Sequence, residues 1–457
     1  MINGDWRIFV VLMMFAVAGS IIIGVTGKTL TLNSFDELRD DAEVYNDQAF
    51  ALLDEHTLGE SLGNFKKPPG YSLFLTIPYG LFGRHLTVAW VAQVLLFIGA
   101  LFMLWRMSNM LFDRWVAVMP LLGISFFWGI TFYVFKMESE ILALFLVTLL
   151  IYTLFWKWNE DVFWRKTVAC GAVFAFLVLT KPIFLYVVPI IVYFLVRDTW
   201  RRDYKCATIH AAVFITIIAL ASGGWMIRNY LTTGDYQIEQ NTGHIIWGRG
   251  GVAELSTREV VAYTTASLFG NLVADYVFPG YAEFPVPSAN RRYIIDRIHA
   301  MRDDGVADHE INAFFLAGGV EKIRQNPIKY IVTTVPGIFE LNALVNHRGF
   351  SLVHVFIGTH EEIPRGVKFA IIGMLRTGWL LFLGVAVYGM VQAWKSYDRR
   401  WHVFIFLVLY VNIIYALIIA PVEPRFLVPV LPFYFLFFVM GIHAIIEKLT
   451  RRKMVSI

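Results

Sequence analysis

This sequence predicts an all-α protein that crosses a membrane about ten to twelve times, at roughly 20 apolar residues per span. Three observations carry the prediction. Of 457 residues, 57% are apolar and only 16% charged, where soluble proteins carry about a quarter charged residues. The apolar residues gather in long uninterrupted runs. Lys and Arg sit in short clusters between those runs, where they orient a chain in a bilayer. Such a composition excludes a soluble globular enzyme, and a net charge of +4 is too small to mark a nucleic-acid binder.

Taken in order, the first run extends from Trp6 to about Gly27. It is longer than a signal-peptide core and has no clear small-residue cleavage site, so it is expected to stay as the first span. Further runs cover approximately 84–105, 115–135, 138–157, 165–180, 182–197, 206–225, 366–394, 401–420 and 424–447. Lys181-Pro182 reads as a tight turn at a membrane face between two short spans. The chain thus divides into an N-terminal transmembrane module over 1–225 that carries a long first loop (28–83), a polar region with interfacial helices over 226–365, and C-terminal transmembrane helices over 366–457.

The first loop opens with the acidic stretch Asp36-Glu37-Leu38-Arg39-Asp40-Asp41-Ala42-Glu43. An amphipathic helix is expected through Tyr45, Ala49 and Leu53, and the segment returns through Lys66-Lys67-Pro68-Pro69-Gly70-Tyr71. Residues 72–83 are apolar but too short to span, which predicts a re-entrant or interfacial helix. In the polar region, Gly243, Gly248, Gly250 and Gly251 suggest turns, and charged helices are expected around 291–325. Residues 327–345 are apolar but broken by Pro336 and Gly337, which places them on the membrane surface. No internal repeat is visible, which weighs against a transporter built from inverted repeats.

If the spans alternate in direction, one set of connections holds Arg106 and Arg114, then Lys157, Arg165 and Lys166, then Arg197, Arg201, Arg202 and Lys205, then Lys395, Arg399 and Arg400. The tail adds Lys448, Arg451, Arg452 and Lys453. The positive-inside rule makes that face cytoplasmic and puts both termini there. The opposite short connections hold one cation each: Lys136, Lys181 and Arg425. Three such cations are too few to set topology and need another explanation.

A charge at a bilayer edge costs desolvation energy unless it is paired, solvated or useful. The informative residues on the sparse face are Asp40, Asp41, Lys67, Lys136, Glu138, Glu140, Lys181, Arg228, Glu423 and Arg425. Two readings fit Asp40 and Asp41: favourable charges at a helix start, or a base that takes a proton from an attacking acceptor. Lys67, Lys181, Arg228 and Arg425 read singly as interface anchors or ion-pair partners, Arg425 with Glu423; together they suggest an anionic headgroup. Glu138 reads as a surface cap, whereas Glu140 sits one step deeper. Cys170 and Cys206 have neither ligand nor disulfide spacing. His244, His347 and His360 lack metal-ligand spacing, so no metal is predicted, although a divalent ion held by the acidic residues stays open. Trp247, Tyr263 and Tyr281 are aromatic candidates for sugar stacking or, more simply, for burial.

In this order the motifs resemble the C-type, multi-span glycosyltransferases that use polyprenyl-phosphate sugars, the group of protein O-mannosyltransferases and bacterial lipid A aminoarabinose transferases. The residues that carry the resemblance are Asp40-Asp41-Ala42-Glu43-Val44-Tyr45, then Lys67-Pro68-Pro69-Gly70-Tyr71-Ser72, Glu138-Ser139-Glu140, Thr180-Lys181-Pro182, Trp225-Met226-Ile227-Arg228-Asn229-Tyr230, and Arg425-Phe426-Leu427-Val428-Pro429-Val430-Leu431-Pro432. It covers 1–235 well and 366–447 in outline, and leaves most of the polar region unmatched. Lys181 stands where an arginine is common, and Ser72 where a proline is frequent. The resemblance implies Asp41, with Asp40 next, as catalytic base, and Glu140 as a second acid that positions acceptor or base. It implies Lys67, Lys181, Arg228 and Arg425 at the donor phosphate, and puts Tyr45, Tyr71 and Glu138 beside acceptor or sugar.

The expected enzyme is a hexosyl- or pentosyltransferase in the bacterial inner membrane, with its site on the periplasmic face and no required cofactor. Its partners would be a polyprenyl-phosphate sugar, membrane lipids and an acceptor glycan, lipid or protein. Two alternatives stand beside it: a flippase or transporter of lipid-linked sugars, and an oligosaccharide polymerase or ligase using a diphosphate-linked donor.

Overall fold

The computed structural model describes residues 5–26, 29–32, 34–39, 41–57, 67–113, 115–155, 163–201, 203–239, 242–281, 287–343, 364–420 and 422–455. Every regular element among them is helical. Among the described residues six helices are long and apolar enough to cross a membrane: Trp6–Thr26, Leu86–Leu111, Tyr204–Thr233, Phe369–Lys395, Arg400–Ile418 and Leu431–Thr450. They expose large apolar side chains such as Ile22, Leu95, Leu220 and Leu381. Contiguous apolar surface of that kind belongs against lipid or a partner rather than water. The chain is a multi-pass membrane protein.

The structure departs from the expected spans at three places. The run 115–135 is no continuous helix but Val116–Val118, Met119–Phe126, Trp128–Thr131 and Phe132–Val134. Phe127 is extended (φ −86°, ψ 102°) and ends the longest piece. The seventh helix of the expected series continues to Thr233, so Arg228 lies within it and not at its end. The last begins at Leu431 rather than 424, because Pro424–Leu427 forms a separate 3-10 turn. Apolar content alone shows neither the extension to Thr233 nor the two interruptions, one at the extended Phe127 and one at the turn that Pro424 opens.

Two compact units emerge. The first comprises residues 1–228, 381–408 and 428–457. Helix Glu140–Phe155 lies at its centre, buried on nearly every side, and packs against Leu86–Leu111 and Phe163–Thr180. Helix Asp41–Asp54 turns Ala42, Tyr45, Asn46, Gln48 and Ala49 inward and rests on Gly70–Phe82. The latter has 13 residues, buries Tyr71, Ser72, Leu75 and Tyr79, and exposes Ile77, Leu81 and Phe82. It is too short to span, in line with an interfacial helix.

The second unit comprises residues 229–380 and 409–427. Here the expectation of glycine turns is corrected: Gly243, Gly248, Gly250 and Gly251 lie inside helix Thr242–Ala253. The glycines serve close helix packing instead. A Cβ on Gly243 would fall 2.1 Å from the Asn312 carbonyl oxygen, and one on Gly250 2.7 Å from that of Gly319. Both partners belong to helix Asp308–Gln325, so the two backbones approach as only glycine allows. Trp247 fills the rest of the seam, stacked on Tyr293 and Phe314 with edge contact to Phe315. The apolar stretch after 327 divides at Thr333 into Pro327–Val332 and Thr334–Leu341. Pro336 sits in the first turn of the second helix, where a missing N–H costs little.

Candidate active site

Asp41 opens helix Asp41–Asp54, where the helix dipole favours a carboxylate. It also meets Lys67 across the loop, Nζ to Oδ1 3.0 Å, with both side chains about one-fifth exposed. One turn further along the same helix, Tyr45 donates its hydroxyl to Ser139 Oγ at 3.4 Å. Asn46 Nδ2 donates to Met137 Sδ at 3.6 Å, and Asn46 Oδ1 accepts from the Tyr79 hydroxyl at 2.5 Å. These contacts fasten the first-loop helix to the corner 137–140.

That corner holds two glutamates, and both are buried. Glu138 is no surface cap: its side chain is 3% exposed and pairs with Lys136 at 2.8 Å. Glu140 starts helix Glu140–Phe155 and accepts from Lys181 Nζ at 3.0 Å. Lys181 follows directly on helix Phe163–Thr180 and precedes the 3-10 turn Pro182–Val187, and its side chain is 11% exposed. The three cations that stand alone in their short connections therefore share one explanation. Lys136, Lys181 and, in the second unit, Arg425 each pair with a glutamate.

Gly70 joins two of the first unit's ion pairs, Asp41 with Lys67 and Glu140 with Lys181. A Cβ there would stand 2.4 Å from Thr180 Oγ1 and 2.7 Å from Thr180 N. The Lys67-Pro68-Pro69 strap thereby seats against the residue before Lys181. Beside it Tyr71 is wholly buried, in edge contact with Tyr45 at 5.0 Å. Its hydroxyl is pushed well above its usual pKa, first by burial and then by Tyr79, Tyr45, Glu140 and Glu138 nearby. It stays protonated at neutral pH. Among the described residues, Tyr71 Oη and Glu140 Oε2 are buried without a hydrogen-bond partner. A buried donor and a buried acceptor of this kind cost free energy when unpaired and are suited to meet a polar substrate.

Arg228 sits over the Trp225 ring at 5.0 Å. Arg425 pairs with Glu423 through Nε at 2.5 Å and lies 5.5 Å from the Phe426 ring centre, which itself stacks on Tyr415. Asp40 lies outside the described residues, as do His347 and His360. Among the described residues no group of three or more His, Cys, Asp or Glu could hold a metal ion.

Residues 66–225 match the dolichyl-phosphate-mannose-protein mannosyltransferase family. The matched stretch holds Lys67, Gly70, Tyr71, Glu138, Glu140 and Lys181, and stops short of Asp41, Arg228 and Arg425. The chain is also similar to ArnT from Cupriavidus metallidurans in its apo state, at 16% identity over 88% of this chain and 72% of that one, with a TM-score of 0.37. ArnT bound to undecaprenyl phosphate aligns at 13% identity over 94% and 76%, again with a TM-score of 0.37. No curated protein matches the chain.

In the second unit the structure adds a group that sequence reading passed over. Glu340 accepts hydrogen bonds from the Tyr263 hydroxyl and from the Val422 N–H at 3.3 Å. Val422 precedes the Glu423-Pro424-Arg425 turn, so this carboxyl anchors the segment that carries Arg425. Burial raises its pKa to about 7, with Glu423 adding to the rise and the two hydrogen bonds opposing it. Arg249, 1% exposed, binds Thr333 and Thr334 Oγ1 at 3.0 Å each and the Ala416 carbonyl at 3.1 Å. Neither residue stands in a pattern that sequence spacing could flag.

Proposed function

We propose that the chain is a membrane glycosyltransferase that moves a sugar from a polyprenyl-phosphate donor to a hydroxyl or amine acceptor, with inversion, on the periplasmic face of a bacterial inner membrane. The observation that carries this reading is the joining of two carboxylate–ammonium pairs, Asp41 with Lys67 and Glu140 with Lys181, through the seat of Gly70 on Thr180. The family match over 66–225 supports it.

Chemically, the sugar carbon loses its bond to the phosphate oxygen and gains one to the acceptor atom. The phosphate leaves as an anion, and Lys67 and Lys181 stabilise its growing charge, so no general acid is needed. Entry of that phosphate draws Lys67 off Asp41. The freed carboxylate then takes the acceptor proton as the new bond forms. Glu140 holds Lys181 in place, and its open Oε2, with Tyr71 Oη, Tyr45 and Glu138, is the proposed contact for sugar or acceptor. Arg228 and Arg425 are proposed as further phosphate contacts from the sequence resemblance.

Substituting Asp41→Asn is expected to lower transfer from a polyprenyl-phosphate sugar by about a hundredfold to ten-thousandfold, the usual contribution of a positioned base. Binding of the lipid donor should hardly change. Retained turnover in the purified variant would reject Asp41 as base. Offering monophosphate- and diphosphate-linked donors side by side separates this enzyme from a polymerase or ligase.

A further inference from the structure

Arg376, in the second unit, is the only charge between Phe369 and Lys395 of its span. It is 6% exposed. Its Nη1 donates to the carbonyls of Ala266 at 3.3 Å and Ser267 at 3.0 Å, at the C-terminal end of helix Thr257–Phe269. The helix dipole favours a cation there. One turn further along the span, Trp379 Nε1 donates to the Asn342 carbonyl at 2.7 Å. These contacts seat the span on the second unit and use one nitrogen of the guanidinium.

The other two nitrogens are open. Among the described residues Nε is buried without a hydrogen-bond partner, Nη2 makes no hydrogen bond, and no carboxylate pairs with the group. The Nε–H and Nη2–H bonds lie parallel along one edge of a guanidinium, the fork that takes two oxygens of one oxyanion. Two carbonyls at a helix end do not neutralise a full charge, and a charge within a span is costly unless it is paired or used. A long helical side chain leans over the turn N-terminal to its own Cα, here the turn of Gly373. Gly373 is exposed, and a Cβ on it would meet nothing within 4 Å. The surface is therefore open where the guanidinium leans. Only about 10 Å of helix separates Arg376 from Phe369, where the apolar stretch begins, a depth from which arginine reaches back to the headgroups.

We propose that the open edge of Arg376 binds the phosphate of a membrane lipid, two phosphate oxygens accepting from Nε and Nη2, with the lipid entering beside Gly373. A soluble anion would have to leave water to reach this level of the bilayer, whereas a lipid phosphate already stands near it. The phosphate belongs either to a glycerophospholipid of the leaflet or to a polyprenyl phosphate. The proposal concerns residues of the second unit alone and stands whether or not the chain transfers a sugar.

The test uses the full chain in detergent. Native mass spectrometry counts the lipid copies bound per chain when phosphatidylglycerol, undecaprenyl phosphate or, as a phosphate-free reference, diacylglycerol is offered. Arg376→Lys keeps the charge and a donor for the two carbonyls but has no fork, and Arg376→Gln keeps a donor without the charge. Arg258→Gln, the control, removes an exposed cation of the same unit. Wild type and control are expected to hold a copy of a phosphate lipid that diacylglycerol does not replace, and both Arg376 variants to bind that copy about tenfold or more weakly. A loss for phosphatidylglycerol assigns the site to leaflet phospholipid, and a loss confined to undecaprenyl phosphate assigns it to a polyprenyl lipid. Arg376 variants that bind like the wild type, with only their melting temperature lowered, reveal a helix cap and overturn the proposal. An equal loss in the control, or a wild type that does not prefer phosphate lipids, overturns it too. Should the Arg376 variants not fold, Gly373→Leu, which fills the lipid entrance and leaves the cap in place, is expected to weaken binding about threefold, and unchanged binding overturns the proposal.

Discussion

Glu340 shows how one buried carboxyl makes a segment pH-sensitive. Its pKa rises from 4.5 to about 7 because burial disfavours the charged form. The folded protein therefore holds this proton more tightly than the unfolded chain. The associated stability is fully present below about pH 4.5 and is lost as pH rises to about 7. Glu340→Gln keeps an oxygen for Tyr263 and Val422 and removes the titration. Unfolding midpoints of the variant, measured by calorimetry across that window, are expected to vary less with pH than those of the wild type; an unchanged slope would reject the role. The Glu140–Lys181 pair obeys another rule, since removing one partner strands the other charge in a nearly dry site. Glu140→Gln and Lys181→Met should each destabilise the protein, and the double variant should lose less than the sum. The expected coupling is about 1–3 kcal/mol, read from a double-mutant cycle of unfolding; additive losses would show that the contact contributes little.

Among the elements, the helix Gly70–Phe82 and its proline strap position the candidate site. The seat at Thr180 leaves no room for a side chain. Gly70→Val is thus expected to cost about 1–3 kcal/mol through overpacking and to lower transfer by shifting Lys67. Thr180→Gly in the same chain should recover part of both, and a Gly70→Val protein of native stability and rate would show that the strap is seated elsewhere. This element was half legible. Length and hydropathy showed that 72–83 cannot span, whereas its docking partner lies about 110 residues away and leaves no mark in local sequence. The glycines at 243–251 failed in the opposite direction. They resembled turn residues because glycine permits turns, yet they are there because helix Asp308–Gln325 comes too close for any Cβ. A similar failure hid the breaks in 115–135, where apolar content was high but the backbone is not continuous.

On the scale of the whole molecule, orientation follows from where the cations lie. With Cys206→Ser as background, a cysteine at Glu55 should react with a membrane-impermeant thiol reagent added to intact cells, and one at Tyr397 only after permeabilisation, both positions being exposed. The reverse pattern would place the candidate site on the cytoplasmic side. By itself the sequence determined that the chain is helical and membrane-embedded, roughly where its long helices run, and which few charges stand alone between apolar runs. These are local properties: hydropathy and charge add residue by residue along a run and need no knowledge of what packs beside it. Only the tertiary structure decided that Lys181 answers Glu140, that Lys67 answers Asp41, and that Gly70 ties the two pairs together. Those choices depend on which backbones can approach within an ångström-scale clearance, and that is settled by contacts between residues far apart in the chain.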